Sequence, residues 1–158
     1  MPAARPLLPT TPGRSANMRA NRRRDTEPER RVRELLHASG LRYRVDLPVR
    51  VPGARLIRPD IAFTRIRLAV FIDGCFWHGC PEHKGRPKAN AHYWGPKIDG
   101  NIERDKRQTR ALTAAGWSVL RFWEHESPPE VARRIGDRYR QLSGKAQPAA
   151  HVLPRVPT

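Results

Sequence analysis

The sequence predicts an α/β fold in which a mixed four-stranded sheet is flanked by helices. Its 158 residues suffice for one domain with a buried core. Helical and strand-like periodicities follow the order helix, three strands, helix, strand, helix. The clearest strand is the apolar run of residues 68–72, which is typical of a buried strand. Helices interspersed among strands in this order pack on the faces of a mixed sheet.

Each element has its own local signal. Thr26 and Glu29 form a capping box that begins the first helix, and Gly40 ends it. Apolar and polar residues alternate over residues 41–45, which predicts a first strand. Pro59 suits the mouth of the second strand, where no ladder donor is needed. The remaining predicted elements are strands 58–63, 67–73 and 117–123, a helical turn at 92–94, and helices 98–115 and 128–141.

Composition separates a central domain from two tails. Residues 1–16 are rich in proline and predict a disordered arm. Residues 17–142 contain every predicted element, and the proline-rich residues 143–158 predict a flexible tail. The basic segment 15–24 contains Met18; it is either a solvated leader or an arm that follows DNA and inserts an apolar side chain. Local sequence alone favours the leader.

The charge of the chain indicates a polyanionic partner. Lys and Arg number 31 against 15 Asp and Glu, which gives a formal charge of +16. Most of the excess is arginine, whose guanidinium binds phosphate bidentately, so nucleic acid is the expected partner. The sequence has no broad amphipathic face, no membrane-spanning apolar run and no secretory leader. We therefore expect a cytoplasmic protein, and charge alone does not distinguish DNA from RNA.

The two cysteines predict a metal site rather than a disulfide framework. Cys75, Cys80 and the nearby His83 offer three soft ligands that suit Zn²⁺, which takes four ligands when it is structural. We expect His125 to be the fourth, because it follows the strand-like residues 117–123. The alternative is two free cysteines with surface histidines. Weaker candidates for the fourth ligand are His78, His92 and His151.

Two aspartates predict a second metal site. Asp60 starts the second predicted strand, and Asp73 ends the third. If these strands form an antiparallel hairpin with its turn at residues 64–67, the two carboxylates converge, and such a pair suits Mg²⁺. His78 then lies close enough to act as general base for the attacking water. Each residue also has a structural interpretation. Asp60 could cap the strand, Asp73 could form an ion pair with an arginine, and His78 could be a polar neighbour of zinc.

Two further features have both a structural and a functional interpretation. Phe76 and Trp77 could pack on the zinc knuckle, or they could wedge into a base stack and kink a duplex. Glu29 could only cap the first helix, or it could also face the metal site through a water molecule. Spacing does not separate the two interpretations of the aromatic pair, whereas local sequence favours capping for Glu29.

Five motifs are distributed between Arg14 and Tyr139. They are R-S-A-N-M-R-A at 14–20, R-P-D at 58–60, G-C-F-W-H at 74–78, W-x-x-K-I-x-x-N-x-x-R-D at 94–105, and G-W-x-V-L-x-x-W-E at 116–124. Together they resemble the very short patch repair (Vsr) DNA mismatch endonucleases, and the C-F-W-H core is the most specific of them.

The resemblance implies a restriction-endonuclease-like fold and a Mg²⁺-dependent hydrolase that nicks one DNA strand 5′ to the thymine of a T:G mismatch. Such mismatches arise when 5-methylcytosine deaminates. The implied partners are therefore double-stranded DNA with a T:G mismatch and a cognate cytosine-C5 methyltransferase. MutL- and MutS-type repair proteins are further expected partners, and we expect a monomer that acts at the nucleoid.

The resemblance also implies roles for individual residues. Asp60 falls on the metal-binding aspartate of the family, His78 on its catalytic histidine, and Asp105 on an acid that orients this histidine. Glu29 falls on the helix acid near the magnesium waters, which raises the functional interpretation above capping alone. By the resemblance, the ligands of the structural Zn²⁺ are Cys75, Cys80, His83 and His125. The residues that correspond to the DNA contacts of the family are Met18, Arg19, Phe76, Trp77 and Lys97.

The chain departs from the best-known family pattern at two places. Ile72-Asp73 stands where Thr-His is usual, so we expect Asp60 and Asp73 on Mg²⁺ and His78 as the only histidine at the reaction centre. The knuckle also has His83 after Cys80 where His-x-Cys is familiar. Two other functions stay open, namely a restriction-type nuclease of the same fold and a non-catalytic, zinc-stabilised DNA-binding module.

Overall fold

Residues 25–83 and 90–146 are described by the computed structural model of the chain. Within these ranges the elements follow the predicted order, and the sheet is mixed and four-stranded as expected. The predicted arm at residues 1–16 and the expected DNA contacts Met18 and Arg19 lie outside these ranges. None of the described helices is long and apolar enough to cross a membrane. The elements are α1 (Glu27–Ala38), β1 (Arg44–Val45), β2 (Ile61–Phe63), β3 (Leu68–Asp73), α2 (Ala91–Ala114), β4 (Ser118–Trp123) and α3 (Pro128–Ala146).

The sheet has the strand order β1-β2-β3-β4. Strands β2 and β3 form the antiparallel hairpin that the sequence predicted, and the amide of Arg67 donates to the carbonyl of Thr64 across its turn (3.3 Å). Strand β4 pairs parallel with β3, and a parallel pair needs a crossover, which α2 provides. Asp60, which immediately precedes β2, and Asp73, which ends β3, therefore lie at the same end of the sheet.

Two apolar cores cover opposite faces of the sheet. Helices α1 and α3 pack on one face, whereas α2 and the loop between β1 and β2 cover the other. Because side chains alternate along a strand, Val70 enters the first core and Phe71 the second. By the same alternation, the side chain of Asp73 lies on the face of the sheet that α2 covers. The first core contains Val32, Leu36, Ile61, Phe63, Leu68, Val70, Phe122, Val131 and Ile135, and the second contains Val49, Val51, Ile57, Ala69, Phe71 and Leu112.

Helix α1 begins with a carboxylate cap that Glu29 supplies. The hydroxyl of Thr26 donates to Glu29 Oε1 (2.9 Å), and the amide of Asp25 donates to Oε2 (3.0 Å). The predicted capping box is one-sided, since the Thr26 side chain caps no backbone amide of the helix. Glu29 is only 6% exposed and lies on the same helix face as Val32 and Leu36, so its carboxylate is held close to the sheet.

Helix α2 is one continuous helix where the sequence predicted a turn and a separate helix. Pro96 lies inside it. The missing proline amide removes one backbone hydrogen bond, and this loss does not end the helix. The buried side chains of Ile98 and Leu112 anchor the helix to the protein beyond the proline. The predicted break before residue 98 is therefore wrong, because packing outweighs the local effect of proline.

Strand β1 and helix α3 differ from their predicted lengths. Strand β1 contains only Arg44–Val45 of the predicted residues 41–45. Helix α3 runs on to Ala146, so the predicted tail boundary at residue 143 lies inside a helix. A helix can continue until proline or the residue before it disfavours helical backbone, and the next proline is Pro148. Residues 147–158 of the predicted tail lie outside the described ranges.

Leu36→Ala should lower the free energy of unfolding by about 2–5 kcal/mol, because removal of this side chain leaves a cavity in the core. Leu36 is 1% exposed, whereas its neighbour Leu35 in the same helix is 36% exposed. Leu35→Ala is the matched control and should change the unfolding free energy by less than about 1 kcal/mol. Urea denaturation followed by circular dichroism measures both variants, and equal losses would contradict this packing of α1.

Candidate active site and metal cluster

An arginine in β4 binds the carboxylate that ends β3. Arg121 Nε lies 2.7 Å from Asp73 Oδ2, and Arg121 Nη2 lies 2.7 Å from Asp73 Oδ1, so the ion pair is bidentate. The parallel register pairs Arg121 with Phe71, and the guanidinium stacks on that ring with 4.5 Å between Cζ and the ring centre. Asp73 is thus buried as an ion-paired carboxylate.

His78 is held by an acid from α2. Its Nδ1 lies 2.5 Å from Asp105 Oδ2 and 3.6 Å from Asp73 Oδ1. Burial opposes the ionisation of Asp105, but the hydrogen bond to His78 and the nearby Arg121 outweigh burial and lower the pKa of Asp105. Asp73, His78 and Asp105 form one cluster, since their ligand atoms all lie within 4.8 Å of one another.

A cavity of about 520 Å³ opens beside this cluster. Its walls include the three clustered residues and also the cationic side chains of Lys106 and Arg110 from α2. A histidine that can accept a proton therefore adjoins a space bordered by groups that attract phosphate. This combination suits the hydrolysis of a phosphate ester.

Asp60 approaches the same end of the sheet from β2. Its Oδ2 accepts a hydrogen bond from the amide of Ile72 in β3 (2.7 Å). Burial above all, together with the nearby carboxylates of Glu29 and Asp73, raises the pKa of Asp60 to about 7. Three carboxylates therefore lie near one another. Among the described residues, the ligand atoms that lie within 4.8 Å of one another belong to Asp73, His78 and Asp105, and Asp60 is not one of this group.

A second cluster of four ligands lies just beyond the ends of β3 and β4. Cys75 Sγ lies 3.0 Å from His125 Nδ1. Cys80 Sγ lies 3.6 Å from His83 Nδ1 and 3.7 Å from His125 Nδ1. All four ligand atoms lie within 4.8 Å of one another, and this spacing and donor set fit a tetrahedral metal ion. They are the same four residues that the sequence predicted.

Hydrogen bonds with Glu124 and His83 stabilise the second cluster. Glu124 Oε1 accepts a hydrogen bond from the amide of Cys75 (2.7 Å), which ties the segment after β3 to the end of β4. Burial opposes the ionisation of the Cys80 thiol, but hydrogen bonds from the backbone and ring of His83 lower the pKa of Cys80. Burial and the neighbouring Cys80 raise the pKa of Cys75 to about 12, so the two thiols differ in acidity. Metals bind the thiolate form of cysteine.

Four aromatic rings and a lysine lie beside the second cluster. Phe76 and Trp77 both meet Trp94 of α2 edge to face, with ring centroids 5.5 and 5.7 Å apart. Tyr93 extends this aromatic cluster, and Lys97 Nζ lies 4.2 Å from the centre of its ring. Flat rings beside a cation are features that stack on bases and attract the DNA backbone.

The chain resembles known DNA-acting proteins along most of its length. Residues 9–84 match the family model described as DNA mismatch endonuclease Vsr. Over 134 residues the chain is 47% identical to the type II nicking enzyme V.NaeI of Lentzea aerocolonigenes, and this match covers 85% of the chain and 81% of that relative. The chain belongs to the Vsr family.

Two further relatives agree with this assignment to the Vsr family. The DNA mismatch endonuclease Vsr of Escherichia coli (strain K12) is 42% identical over 113 residues, which are 70% of this chain and 69% of that protein. The type II nicking enzyme V.XorIIP of Xanthomonas oryzae pv. oryzae is 44% identical over 110 residues, which are 69% of this chain and 77% of that protein. As a Vsr-family member, the chain is a DNA endonuclease.

Sequence reasoning offered an arginine ion pair for Asp73 but did not identify Arg121 as the partner in this Vsr-family site. The available signal is a charged residue in an otherwise apolar strand, since a buried cation needs an acid nearby. Sequence reasoning also gave no separate role to Asn101, whose Nδ2 donates to the backbone carbonyl of Trp77 (3.0 Å). Arg121 thus acts on the clustered acids, and Asn101 joins α2 to the aromatic cluster.

Asp60→Asn should stabilise the protein in buffer without added magnesium, and more so near pH 8 than near pH 5.5. Aspartate in an unfolded chain titrates near 4, whereas folded Asp60 titrates at about 7. The folded state therefore loses stability as the pH rises through this range. Asparagine removes that cost, roughly 1–3 kcal/mol near pH 8, and its oxygen can still accept the Ile72 amide.

Thermal melts at the two pH values measure this gain. Glu34→Gln is the matched control, because it removes a carboxylate that is exposed on α1. The control should shift the stability by less than about 0.5 kcal/mol at either pH. An equal gain in both variants, or a gain that does not grow with pH, would contradict the burial of a charged Asp60.

Proposed function

We propose that this protein nicks one DNA strand 5′ to the thymine of a T:G mismatch, in a Mg²⁺-dependent reaction. The observation that carries the proposal is the convergence of Asp73, His78 and Asp105 near Asp60, at one end of the sheet. Membership of the Vsr family supports hydrolysis of DNA, and the relative from Escherichia coli is named a mismatch endonuclease.

The acids at this end of the sheet fit a divalent cation. Carboxylate oxygens are hard ligands of the kind that Mg²⁺ prefers. Burial raises the pKa of Asp60 to about 7, which means that its negative charge is poorly compensated by the protein alone. We assign Asp60 and Asp73 as protein ligands and Glu29 as an acceptor for water near the ion. Bound there, Mg²⁺ would polarise the scissile phosphate and lower the pKa of the attacking water.

His78 is the general base in this proposal. Its Nδ1 lies 2.5 Å from Asp105, so Nε2 is the ring nitrogen that remains to take the proton from water. Asp105 is held ionised and would stabilise the imidazolium as it forms. Lys106 and Arg110, in the wall of the adjoining cavity, would attract the phosphates of the strand.

The second cluster fits a structural Zn²⁺. Two sulfur and two imidazole donors complete a tetrahedral site, which leaves no open position for a reactant. The ion would join Cys75, Cys80 and His83, which follow β3, to His125, which follows β4. Because His78 lies within the first of these segments, the zinc would also fix the backbone that carries the general base.

The aromatic cluster fits the opening of a mismatched base pair. Phe76 and Trp77 are the proposed wedge that enters the base stack, and the rings that meet them from α2 would support it. Lys97 is a further proposed DNA contact at the same surface. The proposed contacts Met18 and Arg19 lie outside the described residues, and only the family resemblance supports them.

The substrate implies partner proteins. A T:G mismatch arises when 5-methylcytosine deaminates, so a cognate cytosine-C5 methyltransferase would create the sites at which the lesion forms. Relatives named type II nicking enzymes fit such a pairing. MutL- and MutS-type proteins are proposed to act with the enzyme at the nucleoid. A monomer suffices, because a nick in one strand requires one active site.

The protein should nick a duplex with a single T:G mismatch on the thymine strand only, and only when Mg²⁺ is present. The assay uses one labelled duplex in several sequence contexts, with fully paired T:A and C:G duplexes as controls. Asp60→Ala should abolish the nick and leave DNA binding intact, because it removes a metal ligand and no proposed DNA contact. Glu34→Ala, on the exposed side of α1, should nick at the wild-type rate.

Other results of the same assay indicate other functions. Cutting of the paired duplexes on both strands would indicate a restriction-type nuclease of the same fold. Binding without cutting in any context, together with indifference to Asp60→Ala, would favour the non-catalytic DNA-binding module. Retained cleavage by Asp60→Ala would remove Asp60 from the active site.

Cys75→Ser should lower the melting temperature by roughly 10 °C or more, because loss of a zinc ligand costs several kcal/mol of folding free energy. The purified variant should also lose its stoichiometric zinc, which elemental analysis measures. His92→Gln is the matched control, since His92 is exposed and outside the cluster. An unchanged melting temperature after complete release of the metal would refute a structural zinc.

A further inference from the structure

Arg121 bridges two acids that come from different elements. Its Nε and Nη2 bind Asp73 at the end of β3, and the same Nη2 lies 3.3 Å from Asp105 Oδ1 in α2. The other oxygen of Asp105 holds Nδ1 of His78. A chain of polar contacts therefore runs from β3 through β4 and α2 to the proposed general base.

The surroundings of Arg121 leave its head group little freedom. The side chain is 22% exposed, stacks on Phe71, and has Nη1 3.5 Å from Thr109 Oγ1. Burial alone would lower the pKa of Arg121, but Asp73 and Asp105 raise it, so the group stays a cation. The planar guanidinium is hydrogen-bonded to Asp73 on two nitrogens and lies at ion-pair distance from Asp105. A flexible ammonium group cannot hold both contacts in one fixed plane.

We infer that Arg121 is a positioning residue, which is anchored by Asp73, fixes Asp105, and so orients the imidazole of His78 towards the scissile phosphate. This inference rests on the proposed function, because it gives a residue a part in the same reaction. Arg104 also approaches Asp105 Oδ1, but at 3.6 Å and with a side chain that is 46% exposed. Arg121 is therefore the arginine that determines where Asp105 points.

The inference gives Asp73 a part beyond that of a magnesium ligand. Among protein side chains a carboxylate is the group that matches two nitrogens of the guanidinium fork, and Asp73 does so at 2.7 Å on each oxygen. Asp73 thereby holds Arg121 in the one orientation that lets Nη2 also reach Asp105.

Arg121→Lys tests the inference, because lysine keeps the charge and cannot form the fork. The single-turnover rate of nicking at saturating DNA should fall about 10- to 100-fold, the size expected for a displaced catalytic group. The dissociation constant for DNA should change less than about 2-fold, since the proposed DNA contacts are untouched. Arg121→Met should lower the rate at least as much.

The chain offers a matched control in Arg134. This arginine also stacks on a phenylalanine, Phe122, at 4.7 Å, and it also pairs with an acid, Glu126, at 2.9 Å. It lies on α3, however, and its contacts in the described part of the chain are with Glu126 and Phe122 rather than with Asp105 or His78. Arg134→Lys and Arg134→Met should nick at the wild-type rate.

Proton NMR adds a readout that does not depend on cleavage. The proton that His78 Nδ1 shares with the Asp105 carboxylate should give a downfield resonance that is protected from exchange, which is assigned by its loss in His78→Gln. In Arg121→Lys this resonance should move upfield or broaden through exchange with water. In Arg134→Lys it should stay unchanged.

The outcomes separate this inference from the proposed function. A wild-type nicking rate with an unchanged resonance in Arg121→Lys would overturn the inference and leave the function standing. Weaker DNA binding with an unchanged rate at saturating DNA would make Arg121 a DNA contact and would also overturn it. If the wild-type protein nicks no duplex, the function fails, and the resonance alone decides the role of Arg121. If Arg121→Met does not fold, the lysine variant decides.

Discussion

The parallel pairing of β3 with β4 is the constraint on which the rest of the structure depends. Parallel strands end at the same edge of a sheet, so the residues that follow them meet. The crossover that this pairing requires is α2, which brings Asp105 over the same edge. The ligand cluster around His78 and the one that includes Cys75 and His125 are two results of this single pairing.

The order of elements and the cysteine and histidine set could be predicted because their signals are local. A capping box, an apolar run and a pair of cysteines near a histidine each lie within a few residues of sequence. His125 was predicted from its place after a strand, and the hairpin that joins Asp60 to Asp73 needed only two strands and a turn. The structure brings the same four cysteine and histidine side chains together.

The parts that could not be predicted depend on register and packing. An ion pair between Asp73 and an arginine was one interpretation, but with 31 Lys and Arg in the chain a single charged residue in an apolar strand is too weak a local signal to select Arg121. That choice follows from the alignment of β4 beside β3, which the sequence does not encode locally. The continuity of α2 through Pro96 is similar, because buried side chains further along the helix outweigh a local preference.

The ion pair of Asp73 with Arg121 has a consequence for the evolution of this chain. Replacement of one partner leaves the other in a largely buried place with only a longer ionic contact, Asp105 for Arg121 or His78 for Asp73, at a cost of up to about 3 kcal/mol. That is a large share of the stability of a small domain. The two positions, which are 48 residues apart, are therefore expected to change together or through a neutral intermediate. We therefore expect the pair to be inherited as one unit.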